Sequence, residues 1–184
     1  SMVLNLPPVR WARRVRFDRR FATVAGGGSC RGVFASFAEA ARSAPSSARL
    51  GYDSEDAASM YRDRLDRPYP ADYPVLYWLQ RWAPTVRHVI DLGGHVGVSY
   101  YAFRPYLPEP ASLRWTVSDV PAVMAAGRVL AAERGTTELH FADTLPNEAP
   151  AELLLAAGSL QYLEAPLSAL LRSLRALPPR VVVN

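Results

Sequence analysis

Lysine is absent from this 184-residue sequence: all 21 basic residues are arginine. That removes the Gly-Lys-Ser/Thr signature with which a P-loop cradles phosphates, and it reflects genomic base composition more than mechanism. Cysteine occurs once, at Cys30, which excludes an intrachain disulfide framework and a cysteine-rich zinc site. The three histidines, His88, His95 and His140, are scattered, and no metal site is expected of them. Neither His-Glu-x-x-His nor Ser-His-Asp spacing occurs, so hydrolase and zinc-protease readings find no support. No apolar run approaches the roughly 20 residues of a membrane span, and no signal-type apolar segment precedes the body. The expectation is a cytoplasmic enzyme or binding protein. The Ser1-Met2 start reads as a cloning remnant with the natural start at Met2.

About half of the residues are hydrophobic, enough for one domain with a sizeable core. The net charge of +4 is unevenly placed: residues 1–32 hold seven arginines against Asp18 alone, and the rest holds fourteen arginines against sixteen acids. Such localisation argues against a nucleic-acid-binding core. The run from Val9 to Phe21 interleaves aromatics with arginines, and is either a solvated, poorly ordered arm or a contact for an anionic membrane surface or a partner. Gly26-Gly27-Gly28-Ser29 supplies a flexible break. The division expected is a basic arm and linker over residues 1–32, a helical lid region over 33–84 and an α/β core over 85–184.

Apolar spacing predicts helices over residues 34–44, 54–65 and 73–82, the second capped by Asp53 or Ser54. From residue 86 the rhythm becomes strand and helix in alternation. Strands are predicted over 86–91, 113–118, 138–141, 152–156 and 180–183, with helices from near Val96 and over 121–134 and 166–177. The fold class this implies is α/β: a parallel sheet with helices on both faces, preceded by a helical region, with ligands bound beyond the carboxyl ends of the strands.

The first strand ends at Asp91-Leu92-Gly93-Gly94-His95-Val96-Gly97. Neither Gly93 nor Gly94 begins a Gly-x-Gly-x-x-Gly dinucleotide fingerprint. The pattern that remains, Asp-x-Gly-x-x-x-Gly, resembles motif I of the S-adenosylmethionine-dependent methyltransferases with a Rossmann-like fold.

Each candidate residue has two readings. Asp91 either stabilises the glycine turn or faces the ammonium of a bound methionine moiety. Asp119, at the end of the second strand, either accepts both ribose hydroxyls or starts the helix at Pro121, and the two are compatible. Asp143 accepts from an adenine amino group or makes an ordinary Asp-Thr turn, with Phe141 or Val120 beside the ring. In the loop Gly158-Ser159-Leu160-Gln161-Tyr162, Ser159, Gln161 and Tyr162 line the substrate side, or Ser159 caps the loop and Tyr162 packs in the core. His95 acts as a general base or touches the cofactor carboxylate, or simply packs on a helix start. Cofactor contacts are therefore expected from Asp91, Gly93, Gly94, His95, Gly97, Asp119, Val120, Asp143, Gly158 and Ser159, and catalytic roles from His95, Gln161 and Tyr162.

A wider resemblance rests on the run Gly32 to Ala40, Gly51-Tyr52-Asp53, the motif-I segment through Tyr101, Ala157 to Leu163, and the start Leu6-Pro7-Pro8. Together these resemble a family of bacterial methyltransferases commonly associated with cell-surface polysaccharide genes. The resemblance implies S-adenosylmethionine as cofactor and S-adenosylhomocysteine as product. The function expected is methyl transfer to an oxygen or nitrogen of a small-molecule or saccharide acceptor. Two departures stand out: His95 replaces the middle glycine of motif I, and Gln161 stands where some O-methyltransferases carry a catalytic histidine. Tyr52, Asp53 and Tyr61 would belong to a lid, and Tyr100 or Tyr101 would face the pocket. The methyltransferase sheet usually continues past a fifth strand, so a longer natural protein is expected. The alternatives are a cofactor-binding module without catalysis and a membrane-docked assembly factor using the arginine arm.

Overall fold

The computed structural model describes residues 6–23, 32–44, 53, 59–108, 113–146 and 149–184, with Ala22, Thr23 and Arg62 as backbone only. Residues 26–29, Cys30, Gly51, Tyr52 and residues 54–58 of the second expected helix lie outside the described residues. The chain divides into two compact units, Ser1–Gly51 and Tyr52–Asn184.

The first unit contains α1 (Pro7–Thr23) and α2 (Phe37–Ser43). The reading of residues 9–21 as a poorly ordered arm is corrected: they are helical. Prolines at its first two positions cost no internal hydrogen bond, because those amides have no partner within a helix. The α2 helix starts where Ser36 accepts from the Glu39 amide and Glu39 accepts from the Ala35 amide, a reciprocal cap.

The second unit opens with short 3-10 turns at Arg62–Arg64 and Pro70–Asp72 and the helix α3 (Tyr73–Trp82). A 3-10 turn thus occupies much of the described part of the helix expected over 54–65. Then follow β1 (His88–Leu92), α4 (Val98–Phe103), β2 (Arg114–Ser118), α5 (Pro121–Glu133), β3 (Leu139–Ala142), β4 (Leu153–Ala156), α6 (Leu167–Ser173) and β5 (Arg180–Val183). The helix expected over 166–177 ends early because Leu174 turns extended, four residues before Pro178. All strand pairs are parallel, in the order β3-β2-β1-β4-β5.

Alternation along the strands sorts side chains between two cores. Val89, Trp115, Val117, Leu139, Leu153 and Leu155 join α3, α4 and α5 on one face. Ile90, Leu92, Leu154 and Ala156 meet the leucines of α6 on the other. Each fully buried leucine contributes about 1.5–3 kcal/mol through removal from water, and Leu153, Leu154 and Leu155 are completely covered. Asp91 falls on the first of these faces, in line with Val89, so its carboxyl is carried into the core.

Candidate cofactor site at the carboxyl edge

Strand order reverses at β1, whose neighbours are β2 and β4, and the chain leaves β1 there through the glycine turn. The Gly93 amide donates to the Ser118 carbonyl at 2.7 Å, tying the turn to the end of β2. Across the reversal, the Ser159 hydroxyl donates to the Leu92 carbonyl, tying β1 to the loop after β4. A side chain on Gly93 would collide with Ser159, and one on Gly94 would occupy the space of the Asp91 carboxyl. Glycine at both positions therefore lets the turn close over two polar side chains. Gly97 then starts α4, and the amides of Gly97 and Val98 both donate to the Gly94 carbonyl at 3.1 Å.

His95 adopts a φ of 57°, in the left-handed region that favours glycine. Its amide donates to Asp119 Oδ2 at 3.0 Å, and the Val120 amide donates to Asp119 Oδ1 at 2.8 Å. Asp119 thus joins the turn to the start of α5, each oxygen keeping a lone pair for another donor. The His95 ring is buried, with the Tyr61 ring edge-on at 5.0 Å. Tyr61 lies under the Arg64 guanidinium, 5.7 Å away, and Arg64 is held by both oxygens of the buried Asp72 at 3.1 Å.

Asp91 is almost fully buried. Trp115 Nε1 donates to its Oδ2 at 3.1 Å, while its Oδ1 has no hydrogen-bond partner among the described residues. The donor is an indole and not the glycine turn. Burial pushes the Asp91 carboxyl up to about 7; the nearby Asp119 charge adds to the rise and the Trp115 bond opposes it.

The remaining expected side chains make other contacts. Asp143 pairs with Arg128 at 2.9 Å, both about half exposed, and Arg128 also donates to the Phe141 carbonyl. Phe141 packs its ring against Gly127 of α5, and Val120 packs partly buried against the same core. Gln161 folds back, its amide donating to the Gly158 carbonyl at 2.7 Å. Tyr162 is exposed, contrary to core packing. Gly158 has a φ of 68° and open space where a side chain would stand. Tyr100 and Tyr101 are both buried, which overturns a pocket-facing role: Tyr100 donates to Glu138 at 3.3 Å, and Tyr101 lies beneath Arg134. Burial and the Glu138 charge raise the Tyr100 phenol to about 12.

Sequence reasoning missed Trp115 as the partner of Asp91. The signal was present in the alternation of β1 and β2, which puts both side chains on one face. It also missed Asp53 as the acceptor for the Ala122 amide at 2.7 Å, in the first turn of α5. Nothing in local spacing forecasts that contact across 69 residues.

No family model matches the chain, and no curated protein matches it. Solved structures do. A protein from Methanococcus maripaludis, provisionally described as an S-adenosyl-L-methionine-dependent methyltransferase, matches at a TM-score of 0.54 and 17% identity, over 70% of this chain and 61% of that one. An O-methyltransferase family protein from Burkholderia thailandensis matches at 0.40 and 19% identity, over 51% of this chain and 30% of that one. The plantazolicin methyltransferase, in complex with a desmethyl analogue and S-adenosylhomocysteine, matches at 0.47 and 15% identity, over 67% of this chain and 49% of that one. The chain thus spans less than two thirds of each of these proteins. With five parallel strands, helices on both faces and the glycine turn at the reversal of strand order, the second unit has the Rossmann-like α/β fold of the methyltransferases.

Proposed function

We propose that the protein binds S-adenosylmethionine at the carboxyl edge of its sheet and transfers the methyl group to an oxygen or nitrogen of a small-molecule or saccharide acceptor. The observation that carries this reading is the position of Asp119: it ends β2 beside the reversal point, hydrogen-bonded to the motif turn through His95. The residues suit the cofactor's chemistry. Asp119 retains a free lone pair on each oxygen for the two ribose hydroxyls. Asp91 Oδ1 is a buried acceptor without a donor among the described residues, which suits an ammonium group. Gly93, Gly94 and Gly97 keep the turn low enough for close approach. His95, Val120, Gly158 and Ser159 border this region in the same reading, and Asp143 is assigned its adenine end.

When bound, the sulfonium supplies an electrophilic methyl group that a nucleophile displaces in line. The contribution of the chain is to hold donor and acceptor at a near-attack distance of about 3–3.5 Å. A base is needed only for an undissociated hydroxyl or a protonated amine. Among His95, Gln161 and Tyr162, Gln161 carries a neutral amide, which can orient an acceptor but cannot remove a proton. A second reading, a module that binds the cofactor without catalysis, is favoured by the burial of the His95 ring and by the engagement of Gln161 with Gly158.

Calorimetry with S-adenosylhomocysteine tests the binding claim. Asp119→Ala removes two charge-assisted hydrogen bonds worth roughly 1.5–3 kcal/mol each, so affinity should fall about tenfold or more, while Asp119→Asn should retain part of it. If Asp119→Ala lowers the melting temperature but leaves the affinity of the folded protein intact, the residue serves the turn and the helix start alone.

A further inference from the structure

The helix α1 concentrates the positive charge of the chain. Over Pro7–Thr23 it carries six arginines and a single acid, while the sequence after residue 32 has more acids than bases. Arg10, Arg13, Arg14 and Arg16 are all exposed. Large apolar side chains stand among them in solvent: Trp11 is 69% exposed and Phe17 39%. At about 100° per residue, Trp11, Val15, Phe17 and Phe21 share one half of the helix, and Arg13, Arg16, Arg19 and Arg20 share the other. Arg10 and Arg14 lie among the aromatics, where long stems can bury themselves beside the rings while the guanidinium groups reach outward. Phe17 and Phe21 stack at 6.1 Å.

We infer that α1 is an interfacial helix that docks the protein on an anionic phospholipid surface. Its arginines meet lipid phosphates, and Trp11 and Phe17 enter the boundary between headgroups and acyl chains. The helix lies in the surface, since no described helix is long and apolar enough to cross a membrane. A nucleic acid duplex would satisfy the arginines but offers no apolar layer for Trp11 and Phe17, so the exposed aromatics favour lipid. This inference does not depend on the proposed methyl transfer.

Co-sedimentation of the full chain with vesicles tests it. The protein should pellet with equimolar phosphatidylcholine and phosphatidylglycerol, at least about tenfold more than with phosphatidylcholine alone, and added salt should weaken that binding. Trp11→Ala should reduce pelleting several-fold and Trp11→Phe should largely preserve it. Because Trp11 stands in solvent, neither change empties a core, and an unchanged circular dichroism melt confirms that the fold is intact. Replacing Arg10, Arg13, Arg14 and Arg16 with glutamine should abolish the preference for anionic vesicles. Failure to pellet with anionic vesicles, or equal pelleting with neutral ones, would overturn the inference. So would vesicle binding indifferent to Trp11→Ala combined with tighter, salt-sensitive binding to a mixed-sequence DNA duplex, which would assign the helix to nucleic acid.

Discussion

His95 holds a left-handed backbone conformation without the freedom of glycine, and the cost of that conformation is roughly 1–2 kcal/mol for a residue with a Cβ. The ring recovers part of it through burial against Tyr61. Comparing His95→Ala with His95→Gly separates the two effects, because both lose the ring and differ only in the backbone. The glycine variant should be the more stable by about 1 kcal/mol in urea unfolding; the reverse order would show that the turn imposes no such strain. Asp91 gives a pH signature. Its carboxyl ionises near 3.9 in an unfolded chain and at about 7 in the folded one. Between those values the folded protein holds a proton that the unfolded chain has released, so this group withdraws stability as pH rises from about 4 to about 7, by up to about 4 kcal/mol. Asp91→Asn keeps an acceptor for Trp115 and cannot ionise. Its unfolding free energy relative to the parent protein should therefore rise between pH 5 and pH 8, and a constant difference would contradict the burial of a titrating carboxyl.

Among the elements, α5 and β3 show how a close contact can reverse an intrinsic preference. Alanine is normally better than glycine within a helix by roughly 1 kcal/mol, but a Cβ on Gly127 would enter the Phe141 ring. Gly127→Ala should therefore destabilise the protein, by about 1–3 kcal/mol, and the loss should shrink in a Phe141→Leu background. A gain in stability from Gly127→Ala alone would show that the ring can move aside. The same elements mark how far sequence reaches. The strands were legible because buried parallel strands are continuous apolar runs, Leu153 to Ala156 above all, and α3 and α5 because Pro74 and Pro121 mark their first turns. Side-chain direction at the edge was not legible. Phe141 turns toward α5, Gln161 back on Gly158, and Asp53 to a helix far along the chain, each decided by tertiary contacts with no local pattern. At Arg62–Arg64 the chain makes a short 3-10 turn, with Arg64 drawn to Asp72.

Across the whole second unit, two regions compete as ligand sites, and they lie at opposite ends of the sheet. At the carboxyl edge, the turn from Gly93 to Gly97, Asp119 and the Gly158–Ser159 loop are joined by hydrogen bonds. Toward the amino end is a cavity of about 330 Å³, lined by Ile90, Pro146, Pro150, Leu174 and Pro178 among others. The cavity lacks a carboxylate for a ribose or an ammonium; the carboxyl edge has both and stands at the reversal of strand order, where open α/β sheets bind ligands. The central claim is that the cofactor occupies this edge. Hydrogen–deuterium exchange of the full chain with and without S-adenosylhomocysteine tests it most directly. Protection should increase over residues 92–98, 119–122 and 157–161 and stay unchanged over residues 149–151 and 174–178. Protection confined to the latter segments, or none anywhere at saturating ligand, would contradict it.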